Sequence, residues 1–172
     1  GDHRDLHSFP TRRSSDLIGH ALRALEVDVV LADASPAQLR LAVDYGAGRL
    51  AREGDQPSLV VVAVPPDVTA DVIERELSAF PDAVVTDVAS VKLEPLLVLR
   101  ERGVDLSRYI GSHPMAGRER GGAISARADI FFGRPWVICR DEETSARDLA
   151  VVEGLALDLG PSLVEMPPEE HD

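Results

Sequence analysis

A chain of 172 residues, 44% hydrophobic and 28% charged, is long enough for one domain with its own core and has the composition of a soluble globular protein. Its formal net charge of −12 argues against nucleic acid as a partner, because no basic face easily outweighs it. Cys139 is the single cysteine, which excludes an intrachain disulfide and a cysteine-based metal site; no apolar run approaches the roughly 20 residues of a membrane span, and the cytoplasm is the expected compartment.

Residues 1–17 read GDHRDLHSFPTRRSSDL, polar and basic and without hydrophobic period. They lack the apolar stretch of a secretory signal. The run HSFPTRRSSDL resembles the conceptual translation of a sequencing-adapter oligonucleotide, so residues 1–17 are expected to be foreign, to pack poorly and to form no central strand. The domain proper is expected over residues 18–166.

From Ile18 onward strand and helix signals alternate. Ala21, Leu22 and Leu25 fall at helical spacing, and residues 27–33 read as a strand ending in the acid Asp33. Ser35 is placed to cap a helix over 36–44, with Pro36 at its first position and Gly46 beyond its end. Residues 59–64 form a near-continuous apolar run, as in a parallel strand buried on both faces, and Pro65-Pro66 stops it. The pattern then predicts a helix over 69–80, a strand over 83–87, a helix over 93–102, and strands at 109–111 and 136–139. A helix over 145–159 and a strand at 163–166 complete the series. Such alternation points to an α/β, Rossmann-like, doubly wound and mostly parallel sheet, whose ligands bind beyond the carboxyl ends of the strands.

Two sites stand out on that edge. The first is the run from Tyr109 to Gly122, in which His113 lies between Ser112 and Pro114 and is bordered by Gly111, Gly117, Gly121 and Gly122. Pro114 biases His113 towards an extended backbone, and an imidazole titrating near neutrality suits acid–base work as well as it suits an ordinary loop contact. The second is Asp33, at the spacing of the acid that hydrogen-bonds the ribose hydroxyls in a dinucleotide fold; a carboxylate there repels a 2′-phosphate and favours NAD over NADP. Counting back from Asp33, the glycines of GxGxxG would stand at 14, 16 and 19, where this chain has Ser14, Asp16 and Gly19. Only the third glycine is present, and no first strand precedes it.

Leu17-Ile18-Gly19, Asp33 after a strand, Ala63-Val64-Pro65, the run from Thr86 to Lys92 and Gly111-Ser112-His113-Pro114-Met115-Ala116-Gly117 together resemble the prephenate dehydrogenases over residues 17–172. The resemblance implies NAD(P)-dependent oxidative decarboxylation of prephenate to 4-hydroxyphenylpyruvate, on the route to tyrosine. It implies cofactor contacts from Leu17, Ile18, Gly19, Asp33, Val64 and Pro65, and substrate contacts from Ser90, His113, Gly117 and Glu119. His113 and Ser90 are the catalytic candidates. A neutral His113 would accept the hydrogen bond of the ring hydroxyl as hydride departs. Ser90 could bond that hydroxyl, hold the imidazole, or cap the helix containing Leu93; Lys92 could orient the loop or be an ordinary first-turn lysine. Arg118 and Arg120, beside Glu119, read as a solvated charge cluster.

By the same resemblance residues 167–172 are expected to be the start of a truncated helical, dimer-forming domain, so the polypeptide resembles a fragment cut at both ends, expected to be inactive by itself and homodimeric in full length. Other readings stay open: an arogenate dehydrogenase, a β-hydroxyacid or imine dehydrogenase on a similar fold, or a nucleotide-binding module without activity. No membrane or metal partner is expected.

Overall fold

The computed structural model describes residues 14–115 and 131–172. Helix α1 spans Ser14–Ala24, strand β1 Val30–Leu31, α2 Pro36–Asp44, β2 Arg49–Leu50, β3 Leu59–Val62 and α3 Pro66–Ala79. Strand β4 (Val84–Asp87), α4 (Leu93–Glu101), β5 (Tyr109–Pro114), β6 (Pro135–Cys139), α5 (Ala146–Asp158), β7 (Ser162–Met166) and the single turn α6 (Pro168–His171) follow. The punctuation reads as the sequence predicts at α2, and a serine cap also opens α5. Ser35 Oγ accepts from the Gln38 N–H ahead of α2, with Gly46 beyond its end at φ +79°, and Ser145 Oγ accepts from the Asp148 N–H ahead of α5.

The main sheet has the order β3-β4-β5-β6-β7, with β5 and β6 antiparallel and the other neighbours parallel. Successive residues of a strand face opposite sides, so β3, β4 and β5 each feed two cores. Val84 and Ile110 join Trp136, Ile138, Val152 and Ala156 beneath α1 and α5; Val85 and Tyr109 join Ile73, Leu77, Leu96 and Leu99 beneath α3 and α4. Helices therefore cover both faces, which is the doubly wound arrangement.

Several boundaries differ from expectation. The strand predicted over 27–33 shortens to β1, which pairs only with β2 in a separate two-stranded sheet. Residues of both sheets, including Val29, Val30 and Leu31 on one side and Leu59 and Val61 on the other, line a cavity of about 560 Å³ with Ile18 and Leu22 of α1 and Leu155 of α5. That is the space a strand pairing with both β1 and β3 would take; among the described residues none fills it, the two sheets are separate, and β3 stands at the end of the main sheet's order. Leu59, Val60 and Val61 are half-buried rather than covered on both faces.

Residues 14–17, assigned by the sequence reading to the foreign segment, are the first turn of α1. Leu17 packs on the core because it shares a helical face with Ile18 and Ala21. Of the segment expected to pack poorly, residues 1–13 lie outside the described residues. The short strand β2 carries too little hydrophobic pattern to be foreseen, whereas α6 falls within residues 167–172, expected as the start of a helical domain. Among the described residues no helix is long and apolar enough to cross a membrane.

Candidate active site

Parallel pairing puts the ends of β3 and β4 on one edge, and the register of Asp87 with Gly111 places His113 two residues beyond the end of β4 on that edge. Strand β5 runs through His113 to Pro114, longer than predicted, because antiparallel β6 pairs His113 with Val137. The histidine is thus fixed inside a strand rather than in a loop after it.

Beneath it lies a buried ionic cluster. Asp87 and Lys92 are 0% and 1% exposed, and the Lys92 ammonium donates to Asp87 Oδ1. Asp87 Oδ1 also accepts from the Ala89 N–H (2.9 Å), and Oδ2 accepts from the Tyr109 hydroxyl (2.7 Å). Charges this deep persist only when paired and hydrogen-bonded. Burial, then the Asp87 carboxylate, holds the Tyr109 phenol well above its ordinary pKa, so the ring stays a donor. A Cβ at Gly111 would stand 3.2 Å from Lys92 Cδ and 3.3 Å from Tyr109 Oη. Gly111, one of the glycines bordering His113, therefore makes room for the lysine. Lys92 is not an ordinary first-turn lysine. Ser112 Oγ donates to the Asp87 carbonyl (2.8 Å), and Thr86 Oγ1 donates to that of Ile110 (2.6 Å), tying β4 to β5.

His113 is half-buried, and its Nδ1 lies 3.0 Å from His171 Nε2. His171 Nδ1 lies 2.7 Å from Asp172 Oδ1, and the Asp172 carboxylate accepts from the N–H groups of Lys92 (2.9 Å) and Leu93 (2.9 Å) where α4 begins. Asp172 thus caps α4, the role expected of Ser90. Ser90 is exposed, and among the described residues it makes no hydrogen bond to His113. Desolvation, then the charges of His171 and Lys92, push the His113 pKa below its ordinary value, so the imidazole is neutral at neutral pH. Sequence reasoning missed His171 and Asp172. The usable signal was β7: parallel to β6, it ends at Met166 opposite Cys139 and so delivers the acid-and-histidine run 169–172 beside Gly111.

Cys139 is buried, and burial pushes its thiol up to about 11, as fits a strand cysteine without reactivity. Among the described residues no group of three or more His, Cys, Asp or Glu is placed to hold a metal ion.

The nucleotide candidates divide. A Cβ at Gly19 would lie 2.5 Å from the Ala47 carbonyl, so Gly19 allows the close packing that the third glycine of a dinucleotide loop provides. Asp33 stands two residues past β1, where its carboxylate accepts from the Ser35 N–H (2.7 Å). Val64 packs on the core, and Pro65 precedes α3, taking the Thr69 hydroxyl on its carbonyl (3.0 Å). Leu17 and Ile18 lie on the packed face of α1. Ser14 and Asp16 do not make a phosphate cradle: both are inside the first turn of α1, and Asp16 sets a carboxylate where a pyrophosphate needs free N–H groups. Among the described residues, Asp33 offers a strand-end carboxylate and Asp16 a carboxylate at the start of α1. Gly117, Arg118, Glu119 and Arg120 lie outside the described residues.

Comparison with known proteins agrees with this geometry. The family model for the prephenate dehydrogenase nucleotide-binding domain matches residues 18–165. A probable prephenate dehydrogenase, NovF of Streptomyces niveus, is 39% identical over 155 residues, 90% of this chain and 43% of that protein. The chain spans less than half the length of the curated relatives it matches. Among solved structures, prephenate dehydrogenase from Aquifex aeolicus, in complex with hydroxyphenyl propionate and NAD+, has the same fold: TM-score 0.76 at 24% identity, over 91% of this chain and 57% of that one. Synechocystis arogenate dehydrogenase superposes with a TM-score of 0.73 at 25% identity, over 91% and 57% of the two chains.

Proposed function

This chain belongs to the prephenate dehydrogenase family through its nucleotide-binding domain, and we propose that within a full-length protein it supplies the base and the ribose contact for the NAD-dependent oxidative decarboxylation of prephenate. The carrying observation is His113, neutral, held at Nδ1, and fixed on the ligand edge of the sheet. NAD, when bound, supplies the hydride acceptor. His113 Nε2 accepts the ring hydroxyl's proton as that carbon becomes a ketone; loss of CO₂ sends its electron pair through the ring to the ketone oxygen, which takes the proton back from His113 to give the aromatic 4-hydroxyphenylpyruvate. Ser90, exposed on the loop after β4, is free to turn its hydroxyl to the same oxygen. Asp33 hydrogen-bonds the ribose and opposes a 2′-phosphate, so NAD is preferred to NADP.

A second reading, supported by the likeness to the Synechocystis enzyme, is arogenate as the substrate. It differs in the side chain accepted and leaves the role of His113 the same. The test is a full-length chimera in which residues 18–172 replace the matching segment of the Streptomyces niveus relative. Its kcat/KM should be higher with NAD than with NADP, and higher with prephenate than with arogenate. Replacing Asp33 by Ser should narrow the cofactor gap. A preference for NADP would refute the role of Asp33, and a preference for arogenate would select the second reading.

A further inference from the structure

We infer that His171 and Asp172 are positioning residues that fix the proton of His113 on Nδ1 and leave Nε2 bare as the acceptor. The chain of reasoning starts from the carboxylate. Asp172 accepts from the backbone N–H groups of Lys92 and Leu93 at the positive end of α4, an arrangement that favours its ionised form. Burial opposes that form, but the hydrogen bonds from His171, Leu93 and Lys92 hold the carboxyl below its ordinary pKa. An ionised carboxylate only accepts. At 2.7 Å from Asp172 Oδ1, His171 Nδ1 must therefore carry a hydrogen. In a neutral imidazole one nitrogen donates and the other accepts, so His171 Nε2 presents a lone pair.

That lone pair faces His113 Nδ1 at 3.0 Å, and the His171 side chain is only 7% exposed, so water does not readily replace it. His113 must then donate from Nδ1, and its Nε2 is the bare nitrogen. The ring centroids are 5.2 Å apart with the planes at 64°, a separation that suits two ring nitrogens facing each other at hydrogen-bond distance. The other charged groups acting on His113, Lys92 and Asp87, are paired with each other and do not compete for either nitrogen. The device matters because neutral histidine in water favours the opposite tautomer, with the hydrogen on Nε2, which cannot accept a proton there.

This inference rests on the reading of His113 as the base, but its test needs neither substrate nor cofactor. Long-range ¹H–¹⁵N correlation spectra of the 172-residue chain, labelled at histidine and recorded above the imidazole titrations, report each ring's tautomer. His113→Gln and His171→Gln spectra assign the signals. Both His113 and His171 should show a protonated-type Nδ1 and a bare-type Nε2. In His171→Phe, which keeps a ring without an acceptor, His113 should revert to the Nε2–H tautomer. His171→Gln, whose amide oxygen can accept from Nδ1–H, should preserve the native one. A wild-type His113 carrying its hydrogen on Nε2, or an unchanged His113 tautomer in His171→Phe, would overturn the inference; an inactive chimera with the native tautomer would instead count against the proposed reaction.

Discussion

Lys92→Met tests the cluster beneath His113. Both partners of the Lys92–Asp87 pair are almost completely buried, and methionine keeps the length of the stem while removing the ammonium. Breaking a buried pair from one side costs about 3–5 kcal/mol, because the remaining charge is left uncompensated. Asp87 retains two donors, the Ala89 N–H and the Tyr109 hydroxyl, which places the cost near the lower limit, about 3 kcal/mol. For a chain of this size each kcal/mol moves Tm by about 2–4 °C, so the variant should melt about 6–12 °C below wild type. Circular dichroism melts at neutral pH, with urea titrations alongside, measure it. Pairing Lys92→Met with Asp87→Asn removes both charges and should recover most of the loss, since a buried pair and a neutral substitute are often close in stability. If Lys92→Met melts within about 2 °C of wild type, the pair is not the buried, mutually dependent unit described.

Gly19→Ala should lower the urea midpoint. The helix gains about 0.5–1 kcal/mol from alanine, but the new Cβ meets the Ala47 backbone carbonyl at 2.5 Å, and overpacking of that kind costs about 1–3 kcal/mol; a stabilised variant would contradict the packing role of Gly19. Stability should also fall as pH drops below about 6.5. The unfolded chain takes up a proton on residue 113 there that the folded chain resists, so this contribution is complete above 6.5 and is lost on acidification towards the lowered folded value. His113→Gln should flatten that limb in urea titrations across pH, and a limb of unchanged slope would assign it to another group. A second loss, below about 3.8, belongs to Asp172, whose lowered pKa stabilises the fold only above that range.

Much of the fold was legible because its signals are local. Ser35 with Pro36 and Gly46, Ser145, and the apolar run at 59–62 mark their elements without help from distant residues. Flanking glycines and Pro114 singled out His113, dinucleotide spacing singled out Asp33, and the family resemblance added the run from Thr86 to Lys92. What stayed hidden depends on register between elements far apart in the chain. Ser90 has the right spacing to cap α4, yet the carboxylate that does so is 79 residues away from Leu93, delivered by the pairing of β6 with β7. Lys92 reads as an ordinary first-turn lysine or a loop-orienting one, and it is buried because Gly111 leaves room for its stem. Strand β1 keeps only the two residues that pair with β2 among the described residues, a pairing that no local pattern in residues 27–33 can report.

The central claim is that His113 accepts the substrate's hydroxyl proton, and kcat across pH for His113→Asn in the full-length chimera tests it most directly. Asparagine keeps polarity and some volume but cannot titrate as a base. The variant should lose kcat by about 10²–10⁴, the usual contribution of a positioned acid–base group, and should lose the acid limb while retaining NAD affinity. A variant with wild-type kcat and the same acid limb would contradict the claim and leave His113 a structural histidine of β5.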